Sequence, residues 1–519
     1  MGTHRLKHSF SAGELSPLME ARADFKRYNS GSSKLSNMIC TTQGPTTRRD
    51  GFKFIYDLNS LGLDVADPRV REIPFIFNEL QAYTLVFFIH TDGAPRMVIG
   101  DKEGLLVYPN PVAPFCPPVP YTTAYTGLAT YDIPTIDIAA ASEIEVRHTS
   151  AAGIETTLVL AVDYTIAINV APVADKITVT GGATTADGTL DFYLKNVANP
   201  GDIVTLTLPT TWDIVGLDYA QSADELYIAQ SGFPPQTLKR HGATCWELVT
   251  LAFTSQPTDW SATNGWPERV TFHQQRVVYA ANLLRRQTVW MSRAGDFSSF
   301  AVSSPLIDSD AVTFTLDSGT QDKIVWLISG KSLNIGTIAN EWTVSGATRF
   351  ALTPTNILAQ RQTNNGSEPI TPLMVGITTL FIERYGRIIN EFVFDYTYDS
   401  YKTSDVTILS SHVTENFSII DWTYQQVPSS IIWAVRADGI LLGLTYQRQH
   451  EVIGWHVHST SGLSDPGEFK AITSIPGDTR EDEVWVIVKR TIQGNPKYYL
   501  EKKAPQFRAF INTPVLVIL

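Results

Sequence analysis

The residues that could do chemistry are few and widely scattered. His456 and His458 in "WHVHS" sit two apart, so a strand would put both on one face as two potential metal ligands. No third ligand stands at a recognisable spacing, and solvent-facing histidines are the plainer expectation. Asp395, Asp399 and Asp405 in "VFDYTYDSYKTSD" could supply the paired carboxylates of glycoside cleavage, but Asp in such company reads more simply as turn chemistry. GxSxG, GxxxxGK[ST] and HExxH motifs are absent, and "TNNGSEP" (Thr363–Pro369) is a turn-rich loop rather than a phosphate cradle. Cys40, Cys116 and Cys245 lie more than 70 residues apart; this excludes a CxxC zinc motif, and the odd count argues against a disulfide framework. The expectation is a protein that is not an enzyme, with no cofactor and no metal.

The elements that would position such residues are strands. Val, Ile, Thr and aromatics are frequent in the 519 residues, and 3.6-period stretches are nearly absent. The longest apolar runs, such as "LVFFI" (Leu85–Ile89), fall far short of a membrane span, and the N-terminus lacks the layout of a secretory signal. Net charge is −12 but uneven: residues 1–60 hold nine Lys/Arg against five Asp/Glu, leaving −16 for the rest. A basic arm on an acidic body suits docking on something acidic, and such a body is a poor binder of phosphate backbones.

A short apolar pattern recurs: "TLVFFI", "DELYIA", "QRVVYAA", "DKIVWLI", "TTLFIE", "SIIWAV" and "DEVWVIV". Its aromatics Tyr227, Tyr279, Trp326, Phe381, Trp433 and Trp485 are spaced by 52, 47, 55, 52 and 52 residues; Phe87 precedes them by 140, which leaves room for an insertion. Each run has strand-like neighbours, and units of three or four short strands near fifty residues long are what a β-propeller blade requires. The fold expected is all-β: a propeller of six or seven blades with the aromatics packed between them. Its parts are a docking arm (1–60), a propeller body (61–116 and 209–519) and an inserted β-sandwich (117–208). The insert is marked by alternating runs such as "SEIEVRHTS" and "TLDFYLKN".

The opening residues Phe10, Ser11, Gly13, Glu14, Leu15 and Pro17, then Arg22, Asp24, Tyr28, Gly31, Leu35 and Asn37, are followed by "QGPTTRRDGFKFI" (Gln43–Ile55). Together with "ERVTFHQQRVVYAANLLRRQTVWMSRAGDFSSF", "IERYGRIINEFVFDYTYDSY" and "DEVWVIVKRTIQGNPKYYLEK", they resemble the tail nozzle, or tail tubular protein B, family of short-tailed bacteriophages. The resemblance implies a structural virion protein of the tail: a hexameric ring below an adaptor ring, meeting tail fibres or a tip protein. It also implies an acidic channel that lets DNA leave without binding it. On this reading Phe10, Gly13, Glu14, Leu15, Pro17, Arg22, Tyr28, Asn37, Arg48 and Arg49 form the subunit or adaptor contact, with Phe10 and Leu15 burying only on assembly. Longer relatives continue beyond "NTPVLVIL", so the last apolar strand is expected to pair with something. The rival expectation is a glycan-binding or glycan-cleaving tail protein on a propeller scaffold, using Asp395, Asp399 or Asp405.

Overall fold

In the computed structural model, residues 9–505 are described apart from 23, 320, 348–350, 462–465, 479 and stretches between 110 and 198. The terminal "NTPVLVIL" lies outside the described residues. Among the described residues, seven sheets, each built on four antiparallel strands, succeed one another. Blade one is Val70–Ile76, Ala82–Ile89, Pro95–Asp101 and Thr205–Thr207; blade two is Asp218–Ser222, Glu225–Gln230, Phe233–Gly242 and Cys245–Thr250. Blade three is Arg269–His273, Arg276–Ala280, Thr288–Met291 and Val312–Thr315; blade four is Ile324–Ser329, Leu333–Thr337, Glu341–Ser345 and Leu358–Thr363. Blade five is Leu373–Val375, Thr378–Ile382, Ile389–Asp395 and Ser400–Asp405; blade six is Ile419–Gln425, Ile431–Arg436, Leu441–Gln447 and Val452–His458. Blade seven takes three strands from the C-terminal part, Pro466–Pro476, Asp482–Ile492 and Asn495–Lys503, and its outer strand, Phe52–Asp57, from near the N-terminus.

The ring closes. A separate apolar cluster fills each junction, from Phe87 against Leu226 and Ile228 between blades one and two, to Val86 and Phe88 against Trp485 and Ile487 between seven and one. The chain is therefore a seven-bladed β-propeller. A strand second from the axis is covered on both faces by neighbouring blades, so it reads as an unbroken apolar run instead of an alternating one. All eight residues of Ala82–Ile89 are buried, as are all five of Arg276–Ala280.

Phe87, Tyr227, Tyr279, Trp326, Phe381, Trp433 and Trp485 are all buried, and six of them stand on second strands. Trp326 is the exception: it lies on the innermost strand of blade four, cross-strand from Gly336, where a Cβ would come within 2.1 Å of the indole. The run "AVTFTLD" before it supplies the outer strand of blade three.

The insert leaves blade one after its third strand and returns as the fourth, so Thr205–Thr207 belongs to the propeller. It carries two antiparallel sheets, Tyr121–Ala124, Thr189–Leu194, Ile144–Thr149 and Glu155–Thr157 in one, and Thr130–Asp132, Lys176–Val179 and Tyr164–Ala167 in the other. A Cys116–Cys245 disulfide ties its entry to the outer strand of blade two, correcting the expectation drawn from the odd cysteine count.

Candidate functional site at the arm cap and the propeller axis

The N-terminal arm folds back on its own chain. Gly13–Glu14 and Gly31–Ser32 extend blade six as parallel strands beyond Val452–His458. Gly13 has φ +68°, and a Cβ there would lie 2.2 Å from the Trp455 amide nitrogen, so only glycine brings the arm this close. Leu15 fills the space that a Gly31 side chain would need and is 6% exposed. The expectation that Leu15 buries only on assembly is thereby corrected; Phe10 too is already half-buried. Edge strands present unpaired backbone groups that need cover, and here the cover is intramolecular.

Side chains complete the attachment. The Glu14 carboxylate accepts the Leu35 amide at 2.6 Å and lies 3.0 Å from the His412 ring nitrogen. Burial raises its pKa, but the His412 and Leu35 hydrogen bonds outweigh that and hold it below the usual carboxylate range. Asn37 accepts the Ser459 amide at 3.1 Å, and Arg49 donates to Asn37 Oδ1 and the Ser459 carbonyl, both at 3.3 Å. Asn37 takes φ 55°, a conformation asparagine tolerates better than most residues. The Tyr28 hydroxyl accepts the Ala21 amide at 3.2 Å. Pro17, Arg22 and Arg48 remain exposed, with Leu18 beside them 85% exposed; Arg22 pairs with Asp24 at 2.9 Å.

Under this cap lie His456 and His458, both 0% exposed. They share a face as strand alternation demands, but the arm and blade seven cover that face, so they are not solvent-facing. His456 Nδ1 and His458 Nε2 are 2.6 Å apart, and His456 Nε2 is 3.2 Å from Thr445 Oγ1. Trp433 packs its ring 5.2 Å from His458 and 5.9 Å from His456. Burial pushes His456 down to about 3; burial, then the charges of His456, Arg49 and Lys503, push His458 well below its ordinary value. Both rings are neutral across the physiological range.

The second locus is the propeller axis, where inner strands enclose a cavity of about 340 Å³. Asp218 accepts the Val270 amide and Asp421 the Ile472 amide, each at 2.9 Å, so in two places a carboxylate grips the inner strand of the next blade. Arg71 donates to the carbonyls of Val215 and Leu217 at 2.8 and 2.6 Å. Glu72 has no such partner among the described residues: it is 4% exposed, and neither carboxyl oxygen is hydrogen-bonded to them. Burial, then the Asp421 charge, pushes Glu72 well above the carboxylate range, and burial lifts Asp421 to about 6. No sequence motif marked this acid.

Of the aspartates of the rival reading, Asp399 is exposed in the hairpin turn beside Asp395, with φ 49°, while Asp395 and Asp405 stand apart. Asp395 pairs with Ser400 at one end of its hairpin, and Asp405 with Asn390 at the other. Five residues of strand separate them by about 17 Å, beyond the span that glycoside hydrolysis uses. Asp395 binds Lys402 and the Thr397 amide, and Asp405 caps Thr407, both as turn residues do. Among the described residues, no group of three or more His, Cys, Asp or Glu is placed to hold a metal ion.

No family model and no curated protein matches the sequence. Solved structures give distant similarity to WD40-type β-propeller domains. The β-propeller domain of Cps50 (Swd1) from Myceliophteria thermophila is 12% identical, with 56% of this chain and 83% of that one covered at TM-score 0.33. U3-55K is 7% identical over 55% and 80% of the two chains at 0.33, and the C-terminal WD40 domain of Sif2 is 8% identical over 56% and 95% at 0.27. The propeller assignment itself rests on the strand order and the seven filled junctions.

Proposed function

We propose that this chain is a structural subunit of the tail tube, or nozzle, of a short-tailed bacteriophage. One observation carries the reading. The N-terminal signature, scattered through residues 10–55, converges on a single cap over blades six and seven: Gly13, Glu14, Leu15, Gly31, Leu35, Asn37 and Arg49 hold the arm, and "GFKFI" enters the strand that completes the ring. Pro17, Leu18, Arg22 and Arg48 stay exposed and are among the positions on this arm open to an adaptor ring or a second copy.

The path for DNA runs between copies. The axial cavity of about 340 Å³ is the size of a small-molecule pocket, at the low end of the ~300–1,000 Å³ range, whereas a duplex with a major groove ~12 Å wide needs an open bore. Six copies at −12 each carry −72 formal charges, which would keep a passing duplex off the wall where the bore is narrow. Screening limits that repulsion to ~8 Å at physiological salt, so it acts in a channel little wider than the duplex.

The test is the mass of the native assembly by light scattering with negative-stain imaging, with and without a tail adaptor protein. Rings of about six copies that form or grow with adaptor are the expected result. A monomer indifferent to adaptor overturns the reading.

A further inference from the structure

The hydrogen bonds under the arm have a direction. Thr445 Oγ1 has one proton and donates it to the Cys40 carbonyl of the arm at 2.7 Å. It must then accept from His456, which fixes the proton on His456 Nε2. His456 Nδ1 is left with its lone pair and accepts from His458 Nε2 at 2.6 Å. The relay therefore runs from His458 through His456 and Thr445 to the arm. Its last lone pair, on His458 Nδ1, is buried and has no hydrogen-bond partner among the described residues.

We propose that the His456–His458 pair is an acid-operated latch, which holds residues 9–50 on blade six while neutral and releases them once a proton is taken up. A proton has two places to go. On His458 Nδ1 it enters a buried site beside two cations, Arg49 of the arm and Lys503 of blade seven. On His456 Nδ1 it destroys the bond between the rings. The other groups facing the pair do not offset this. Cys40 is a neutral thiol pushed up to about 12 by burial, Thr445 and Trp433 carry no charge, Glu501 is held by Arg490 at 2.7 Å, and Asp50 lies between Arg49 and Lys503. Release exposes the edge of Val452–His458, now bridged by the Asn37 amide donating to the Val457 carbonyl at 2.8 Å and the Val457 amide to Leu35 at 3.0 Å. The latch does not depend on the tail-tube reading.

The sign follows from the free histidine. With an ordinary value near 6.5 when released and a depressed one when latched, the latched state keeps its full advantage above about pH 6.5 and loses it as pH falls. At pH 5 each ring favours release up to about 30-fold, and the two together up to about 10³-fold.

Hydrogen exchange of the full chain between pH 7.5 and 5, corrected for intrinsic rates, reads this directly. The amides of Leu35, Asn37, Arg49 and Val457 are expected to lose protection by one to three orders of magnitude, while blades two and three keep theirs. Arm protection that stays flat overturns the latch. The His456→Gln/His458→Gln double variant should stay protected at pH 5, and opening over the same pH range as wild type overturns the assignment to this pair. His412→Gln, at the other acid-sensitive contact, should open as wild type does; abolished opening there transfers the switch to Glu14–His412 and overturns the proposal. If the double variant is not folded at pH 7.5, Arg49→Gln serves instead: whatever its absolute protection, a smaller drop between pH 7.5 and 5 supports the latch, and an undiminished drop overturns it.

Discussion

At two places in this molecule burial is the largest influence on an ionisable group, and it drives the groups in opposite directions. At the axis, desolvation raises the proton affinity of Glu72 and Asp421. Under the arm, desolvation makes His456 and His458 give theirs up. The cause is shared: burial penalises whichever form is charged. The pH responses are mirror images. Carboxyls with raised values stabilise the fold most at low pH, and Asp421 loses that contribution as pH rises from about 4 to 6. Histidines with depressed values contribute above about pH 6.5 and lose it on acidification. Acid thus tightens the hub and loosens the cap, so cap and ring should part company before the ring itself opens.

The largest expected effect breaks the comparison on the cap side. Trp433→Ala empties a fully buried site that belongs to the blade six–seven core and also walls the histidines. A loss of about 3–5 kcal/mol in urea unfolding is expected, with the acid sensitivity of the arm blunted because water reaches the rings. Gly13→Ala separates cap from ring, since backbone strain at φ +68° costs about 1–3 kcal/mol and the new Cβ strikes the Trp455 amide. Arm amides should exchange faster while the main melting transition barely moves; a matching fall in both would show that the arm is part of the ring's cooperative unit.

Glu72→Leu sharpens the axial side. Removing an unpartnered buried carboxyl should stabilise the chain by about 1–3 kcal/mol at pH 7.5, with the gain shrinking toward pH 4. Thermal melts at both values check it, and a loss of stability at pH 7.5 would mean the acid has a partner it needs. The smallest effect belongs to Lys26→Ala. Its ion pair with Glu451 at 3.2 Å is exposed on both sides, so arm exchange should change by less than about 0.5 kcal/mol.

How much of this was legible depends on how far apart in sequence the partners stand. The propeller announced itself through second strands buried on both faces, which leave an apolar run with an aromatic near every fifty residues. Trp326 misled the register because in blade four the indole sits one strand nearer the axis, over Gly336. Strand alternation placed His456 and His458 on one face; what covers that face comes from Arg49, over four hundred residues away, and no local pattern reports it. Leu15 was recognised as an anchor, but its seat is Gly31 of the same arm rather than another chain. Cys116 and Cys245 are joined across the insert, a pairing that spacing alone does not reveal. Glu72 had no signal at all, since an acid in "VREIPFI" looks like any solvent-side residue of an alternating strand.

The outer strand of blade seven, Phe52–Asp57, has a consequence for how the protein is made. A ribosome releases this strand some 440 residues before its partner, Asn495–Lys503. At about 5–20 residues per second, the nascent chain must carry an unpaired strand for roughly 20–90 seconds while six blades accumulate around it. The wheel cannot shut until residue 503 has been made. A truncated or prematurely terminated product would leave the first and last blades facing solvent, and quality-control machinery would meet an open arc instead of a ring.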